Sequence, residues 1–197
     1  MGSGHNKKIN DLENDYGKDL ATRLWDLAED AKEIVRNRIE QHKIDCDLCY
    51  GNMAVSDDIR DQKKHQEYVD KLNHDYDYDL ISYLSEQEVY DMFHSPFFKG
   101  GGSLDMGGMH LHPLNYALGL AEAAERAGVM IFEESEVIDY QGQEKKVVYT
   151  KKGQVNTSTI VLACNAYLEK LEKKIAGKIM PINNFMLATE PLDEDEA

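Results

Sequence analysis

Lys99-Gly-Gly-Gly-Ser-Leu-Asp-Met-Gly-Gly-Met-His-Leu-His-Pro-Leu-Asn-Tyr-Ala-Leu-Gly-Leu-Ala-Glu-Ala-Ala-Glu-Arg-Ala-Gly128 joins two kinds of backbone in one uninterrupted run. Gly100, Gly101 and Gly102 break the chain, and an extended piece through Leu104 and Met106 leads to a second pair, Gly107-Gly108. Pro113 then opens a helix, because the first helical position needs no backbone N–H and favours the φ that proline fixes. Leu114, Ala117, Leu118, Leu120, Ala121 and Ala124 extend it to Gly128, a usual helix stop. One side of that helix is almost all small and apolar, which suits close packing against a sheet.

Beyond Gly128 the apolar period changes from about 3.6 to 2. This predicts strands at residues 129–132, 136–140 and 145–150, a hairpin turn at Lys151-Lys152-Gly153-Gln154, and a returning strand over 155–163. That last strand ends in Ile160-Val161-Leu162-Ala163, a continuous apolar run of the kind covered on both faces in a parallel sheet. A short helix over 167–178 and a strand over 184–189 precede the acidic tail Asp193-Glu194-Asp195-Glu196.

Toward the N-terminus, Ser85-Glu86-Gln87-Glu88 is a capping box ahead of Val89, Tyr90, Met92 and Phe93, so a short helix starts there. Residues 57–74 read as a polar surface helix with few apolar positions. Residues 19–42 form a strong amphipathic helix, with Leu20, Leu24, Leu27, Ala31, Ile34, Val35 and Ile39 at three- and four-residue intervals, widened by Trp25. Met1 to Leu12 are polar and glycine-containing, and in isolation read as a frayed terminus or an expression scar.

The chain has 197 residues, with 22 Lys and Arg against 37 Asp and Glu and a formal charge of -15. That balance excludes a general nucleic-acid binder, since phosphate contacts need clustered Lys and Arg. No run approaches the ~18 apolar residues of a membrane span, and the N-terminus lacks the apolar centre of a secretory signal. A soluble protein of the cytoplasm is expected. Three cysteines make a disulfide scaffold unexpected. Cys46-Asp-Leu-Cys49 is formally a CxxC, but neither a following helix nor a second ligand pair accompanies it, and residues 45–50 read as a short alternating strand with structural cysteines.

The run from Lys99 to Gly128 resembles the corresponding stretch of FAD-dependent amine oxidases of the D-amino-acid oxidase superfamily, closest to the gamma-glutamylputrescine oxidase group. The likeness continues in Ile131-Phe-Glu-Glu-Ser-Glu-Val137, Ile160-Val-Leu-Ala-Cys-Asn-Ala-Tyr167 and Met186-Leu-Ala-Thr-Glu-Pro-Leu192, and in Tyr16-Gly17 and Cys46-Asp47-Leu48 with Gly51. It implies a mixed α+β and α/β fold: part of a glutathione-reductase-like FAD domain plus an antiparallel-sheet substrate domain with helices. Residues 1–18 would be a remnant of the flavin-lining segment, 19–112 mostly substrate domain, 113–168 the adenine-side helix and strands, and 169–197 a return into the substrate domain.

The resemblance also assigns residues. Val137 matches a strand position that presents its backbone to the flavin adenine. Ala163-Cys164-Asn165 matches the Ala-x-Gly corner beside the dinucleotide, with Asn165 where many relatives have Gly and the aromatic Tyr167 shortly after. Gly2-Ser3-Gly4-His5-Asn6 resembles the flavin-lining Gly-Ala-Ser-Gly-Arg-Asn-Gly-Gly, implying contacts by Ser3 and Asn6, although Lys7-Lys8 replaces two glycines. The family's opening strand, GxGxxG loop and helix, which hold the pyrophosphate, are not in the sequence. An internal fragment of a longer flavoenzyme, completed by missing parts of its own parent chain, is therefore expected.

His110 and His112 flank Leu111. Two histidines without a third ligand seldom bind zinc. One of them caps the Pro113 helix or supports the sheet, or else His110 lines the amine-binding cavity; no metal is expected and no residue is named as catalytic base. The parent reaction implied is oxidation of the C–N bond of a small-molecule amine or amino acid to an imine, with hydride passing to FAD. Two rivals stand beside it: an inactive truncated piece, and an acidic protein-interaction module. The acidic surface either steers cationic substrates or is ordinary solvated charge.

Overall fold

The structure, a computed structural model, describes residues 1–142, 146–168, 170–180 and 182–185. The chain divides into two units, Met1–Met130 and Ile131–Ala197.

In the first unit, helix α1 (Ile9–Tyr16) and helix α2 (Lys18–His42) meet at Gly17, whose φ of 81° lets the chain turn between them. Ile9 and Leu12, three residues apart, put one face of α1 into the main core with Ala21, Trp25, Val69, Leu72, Tyr78 and Ile81. The N-terminal dozen is thus not a frayed end. Its Met1 carbonyl also accepts the Met109 amide at 2.9 Å.

Helix α2 has nearly the expected bounds but a different buried face. Ala21, Trp25, Lys32 and Ile39 are buried, whereas Leu20, Leu27 and Ile34 are exposed. The large aromatic at Trp25 sets the rotation of the helix, because its ring packs on Tyr76 and Tyr78 at centroid distances of 5.4 and 5.2 Å. The helix ends at Lys43, which takes the left-handed conformation at φ 54°.

Strand β1 (Cys49–Val55) starts later than the sequence predicts, since Asp47 at φ 49° interrupts any extended run over 45–50. A 3₁₀ turn at Ile59–Asp61 leads into α3 (Gln62–Asp75), whose few apolar residues matter more than expected: Val69 and Leu72 sit in the core. Burying a side chain such as Leu72 contributes roughly 1.5–3 kcal/mol. Strand β2 (Ile81–Leu84) precedes α4 (Glu86–Phe93), and the Ser85/Glu88 capping box forms as read. Strand β3 (Gly102–His110) is the centre of a three-stranded sheet of order β1-β3-β2, antiparallel throughout. Helix α5 (Pro113–Arg126) lies against Ile44. A Cβ on Gly119 would come within 2.4 Å of Ile44 Cγ2, so only glycine permits that approach.

The second unit is a meander of β4 (Val137–Gly142), β5 (Lys146–Thr150) and β6 (Gln154–Thr157), antiparallel in that order, with the 150–153 turn closed by Thr150 N–H donating to Gly153 O at 2.8 Å. Several expectations fail here. Residues 129–132 form no strand. The returning strand stops at Thr157, where the Thr157 hydroxyl accepts the Thr159 amide at 3.3 Å and replaces a ladder bond. Ile160-Val161-Leu162-Ala163 is therefore not a doubly covered strand, and Val161 is 81% exposed. Among the described residues neither sheet has parallel strands. The helix expected over 167–178 is a 3₁₀ turn at Asn165–Leu168 followed by the single-turn α6 (Lys173–Ala176). Residues 184 and 185 are not in a strand, and 186–189 and the acidic tail lie outside the described residues.

Candidate functional site

Strands β1 and β3 set Ala54 opposite Ser103, two small residues that leave space above the sheet. The N-terminal segment from Ser3 to Lys8 crosses over that space, and Trp25 from α2 with His65 and Tyr68 from α3 complete the walls of a cavity of about 530 Å³. Gly4, at φ 79°, is the position of closest approach: a Cβ there would lie 3.3 Å from the Trp25 ring. His5 Nε2 lies 2.6 Å from the Leu24 carbonyl, fixing the segment to α2.

The cavity combines aromatic walls with ionisable groups. Burial pushes the His65 imidazole below its ordinary pKa, against a weaker pull from Asp61, so its neutral form is favoured. Burial, with the nearby Asp105 and Glu29 charges, pushes the Tyr68 phenol up. At the rim Asp61 is held below the usual carboxylate range by hydrogen bonds from Lys64 and Ser56.

Next to the cavity wall lies a buried polar network. Lys32, 4% exposed, directs Nζ to Glu29 at 2.7 Å, to Ser3 Oγ at 2.7 Å and to the Gly107 carbonyl at 3.1 Å. Asp105 accepts from Ser3 Oγ at 2.6 Å, from the Tyr78 hydroxyl, and from the amides of Gly107 and Gly108 at 2.9 and 3.2 Å. Burial and the bond to Asp105 push the Tyr78 phenol well above its usual pKa, so it stays a donor. Glu29 Oε1 is buried without a partner among the described residues. The glycines permit the arrangement, because a Cβ on Gly107 would fall 2.1 Å from the Tyr78 hydroxyl oxygen.

The expected site residues fall into two groups. Ser3 and Asn6 both line the cavity. His110 ends β3 opposite Cys49, is exposed, and is not among the cavity's lining residues. His112 is the cap of α5, its Nδ1 accepting the Asn115 amide at 3.2 Å. The others lie in the second unit. Val137 opens β4 opposite Thr150; Ala163 and Cys164 lead to Asn165, at φ 49°, a conformation glycine adopts freely and asparagine tolerates best among the rest. Tyr167 is 89% exposed, with its amide on the Cys164 carbonyl at 3.0 Å. Cys46, Cys49 and Cys164 are free thiols, and no group of three or more potential metal ligands occurs among the described residues.

The sequence reading did not name Trp25, Lys32, His65, Tyr68, Tyr78 or Asp105 as site residues. One signal was available: Trp25, Lys32 and Ile39 are spaced by seven, which puts a lysine in line with buried positions.

The sequence profile of the family described as DAO, FAD dependent oxidoreductase, matches residues 3–197. The chain is 33% identical to gamma-glutamylputrescine oxidoreductase of Escherichia coli over 203 aligned residues, which cover 99% of the chain and 46% of that protein. It is 32% identical to the probable oxidoreductase OrdL of Haemophilus influenzae, over 98% of the chain and 46% of the relative. The crystal structure of glycine oxidase from Geobacillus kaustophilus superposes with a TM-score of 0.64 at 19% identity, over 77% of the chain and 42% of the oxidase. The chain therefore has part of that oxidase's fold and spans about half the length of the relatives it matches. No helix among the described residues is long and apolar enough to cross a membrane.

Proposed function

We propose, on the premise that the chain belongs to the DAO family of FAD-dependent oxidoreductases, that it forms the central part of a flavoenzyme that oxidises the C–N bond of an amine or amino acid to an imine. The single observation that carries this reading is the position of Ser3 and Asn6, the residues matched to the family's flavin-lining segment, on the wall of a cavity whose other walls are Trp25, His65 and Tyr68. Likeness to gamma-glutamylputrescine oxidoreductase supports a substrate of that type, and with it a role in polyamine breakdown in the cytoplasm.

Each unit, taken by itself, carries backbone that suits a flavin. In the first, Gly4 lets backbone approach the Trp25 face without a Cβ between them; in the second, Asn165 holds a left-handed corner beside the position matched to the adenine side. In this reading Val137 and Ala163 to Asn165 belong to the adenine side with Tyr167, and the pyrophosphate loop is supplied by sequence outside the 197 residues. Bound flavin supplies a hydride acceptor for the carbon next to the amine nitrogen. This chain's own groups supply the rest. Trp25 and Tyr68 offer apolar faces to the methylene stem of an amine, and the neutral form of His65 can accept a hydrogen bond from an amine N–H.

The strong exposure of Val161, Met180 and Phe185 favours a second statement, that the 197 residues alone hold flavin weakly. A hybrid tests the main proposal: residues 3–197 replace the matching region of the Escherichia coli gamma-glutamylputrescine oxidoreductase. The expected result is a yellow protein whose visible flavin absorption bleaches when gamma-glutamylputrescine is added without oxygen. A flavin-loaded hybrid whose absorption no amine or amino acid changes would overturn it.

A further inference from the structure

A lysine is an expensive residue to bury. An ammonium withdrawn from water costs several kcal/mol unless it is paired, and replacing a buried ion pair with apolar side chains of similar volume is often neutral or stabilising. Lys32 nevertheless occupies a buried position of α2 in line with Trp25 and Ile39, and its Nζ is fully engaged by Glu29, Ser3 Oγ and the Gly107 carbonyl. Stability of the core alone does not call for a cation there. What the cation does reach is the N-terminal segment.

That segment has no regular hydrogen bonding before α1 begins, and Lys8 at the head of α1 makes no side-chain cap. Besides the Lys7–Asp15 ion pair to α1, three polar ties attach it to α2 and the sheet: the reciprocal backbone pair of Met1 with Met109, His5 to the Leu24 carbonyl, and between them the Ser3 hydroxyl. Ser3 is the only one of the three that joins two charged groups, accepting from Lys32 at 2.7 Å and donating to Asp105 at 2.6 Å. Its one proton and its lone pairs are thus used by two elements at once, α2 and β3.

We propose that Lys32 is a positioning residue: with Asp105 it clamps Ser3 and so holds the segment from Ser3 to Asn6 as the cavity wall over Trp25. That the held segment faces flavin rests on the function proposed above; that Lys32 holds it does not. Charge-assisted hydrogen bonds are shorter and roughly twice as strong as neutral ones, enough to select one conformation of a glycine-containing segment.

The test uses the 197-residue chain and three variants, S3A, S3T and K32M. Trp25 is the chain's single tryptophan, so acrylamide quenching reports on the cavity wall alone. Limited trypsin digestion followed by mass spectrometry reports scission after Lys7 and Lys8. S3A and K32M are expected to raise scission at those two bonds about tenfold, the factor equivalent to about 1.4 kcal/mol, and to expose Trp25 to acrylamide. In S3A, cleavage elsewhere and the thermal midpoint stay as in the parent, and S3T, which keeps the hydroxyl, restores parental behaviour; K32M, which leaves the Glu29 carboxylate without its buried cation, also lowers the midpoint. Unchanged scission in S3A would overturn the proposal, even if K32M fails to fold. So would, in S3A, a rise at every site together with a lower midpoint, the mark of a merely structural role. Saturable quenching of Trp25 by riboflavin in the parent chain separates the two claims: its absence would sink the flavin reading and leave the clamp standing.

Discussion

Ser3 Oγ lies 2.7 Å from Lys32 Nζ, so a segment at the head of the chain is tied to a lysine buried on the longest helix. The same hydroxyl donates to Asp105 on the central strand. The cavity wall and the centre of the sheet are therefore parts of one hydrogen-bonded unit, and changes in that unit have separable consequences.

Asp105→Asn keeps the volume but turns one acceptor oxygen into a donor that faces donors. The carboxylate now accepts from Ser3, Tyr78 and two backbone amides. Urea unfolding should show a loss of roughly 2–4 kcal/mol, with the slope against denaturant unchanged.

Gly107→Ala should be strongly destabilising, because the added Cβ would stand 2.1 Å from the Tyr78 hydroxyl oxygen and 2.9 Å from Leu80 Cδ1. Removing that hydroxyl with Tyr78→Phe should relieve part of the clash. A double-mutant cycle is expected to give a coupling energy of about 1 kcal/mol or more, with the double variant more stable than the sum of the singles predicts.

Acid should weaken the first unit through Glu13. Burial would raise its pKa, but hydrogen bonds from Lys71, Lys18 and Tyr76 outweigh that and lower it from 4.5 to about 2. The folded form thus binds the proton less readily than the unfolded chain does. The resulting stability, about 2 kcal/mol once solvent screening of a side chain 19% exposed is allowed for, is complete above pH 4.5 and is lost as pH falls toward about 2. Glu13→Gln should flatten the pH dependence of the thermal midpoint in that window.

His65 should titrate below the ordinary histidine value, since burial penalises its cation. In a two-dimensional NMR titration its ring carbon proton is expected to move with a midpoint below 6.5. A midpoint at or above 6.5 would contradict burial as the dominant influence on this imidazole.

Local features of this chain were legible in its sequence where the physics is local. The Ser85/Glu88 capping box and a histidine cap ahead of Pro113 depend on neighbours three residues away, and both form. Asn165, which stands where the resemblance sets a glycine in many relatives, takes the left-handed conformation at φ 49°. Other features depend on what lies across space. The Ser3 to Asp105 bond spans 102 residues, and no periodicity encodes it. Counting apolar intervals on α2 picked out Leu20, Leu27 and Ile34, yet Trp25 packing on Tyr76 and Tyr78 turned the helix and left those three exposed. The run Ile160 to Ala163 shows the same limit: apolar residues state what a segment could bury, and Val161 has nothing over it among the described residues.

The proposed function requires that the cavity beneath Ser3 to Asn6 face the flavin ring, and Trp25, single in the chain and part of that cavity, reports on it directly. Its fluorescence is followed during titration of the 197-residue chain with riboflavin and, separately, with FAD, each corrected for absorption by the ligand. Saturable quenching by both is expected, with similar and weak affinities because no pyrophosphate loop is present in these residues. Quenching by either that never saturates and matches that of free N-acetyltryptophanamide would contradict it.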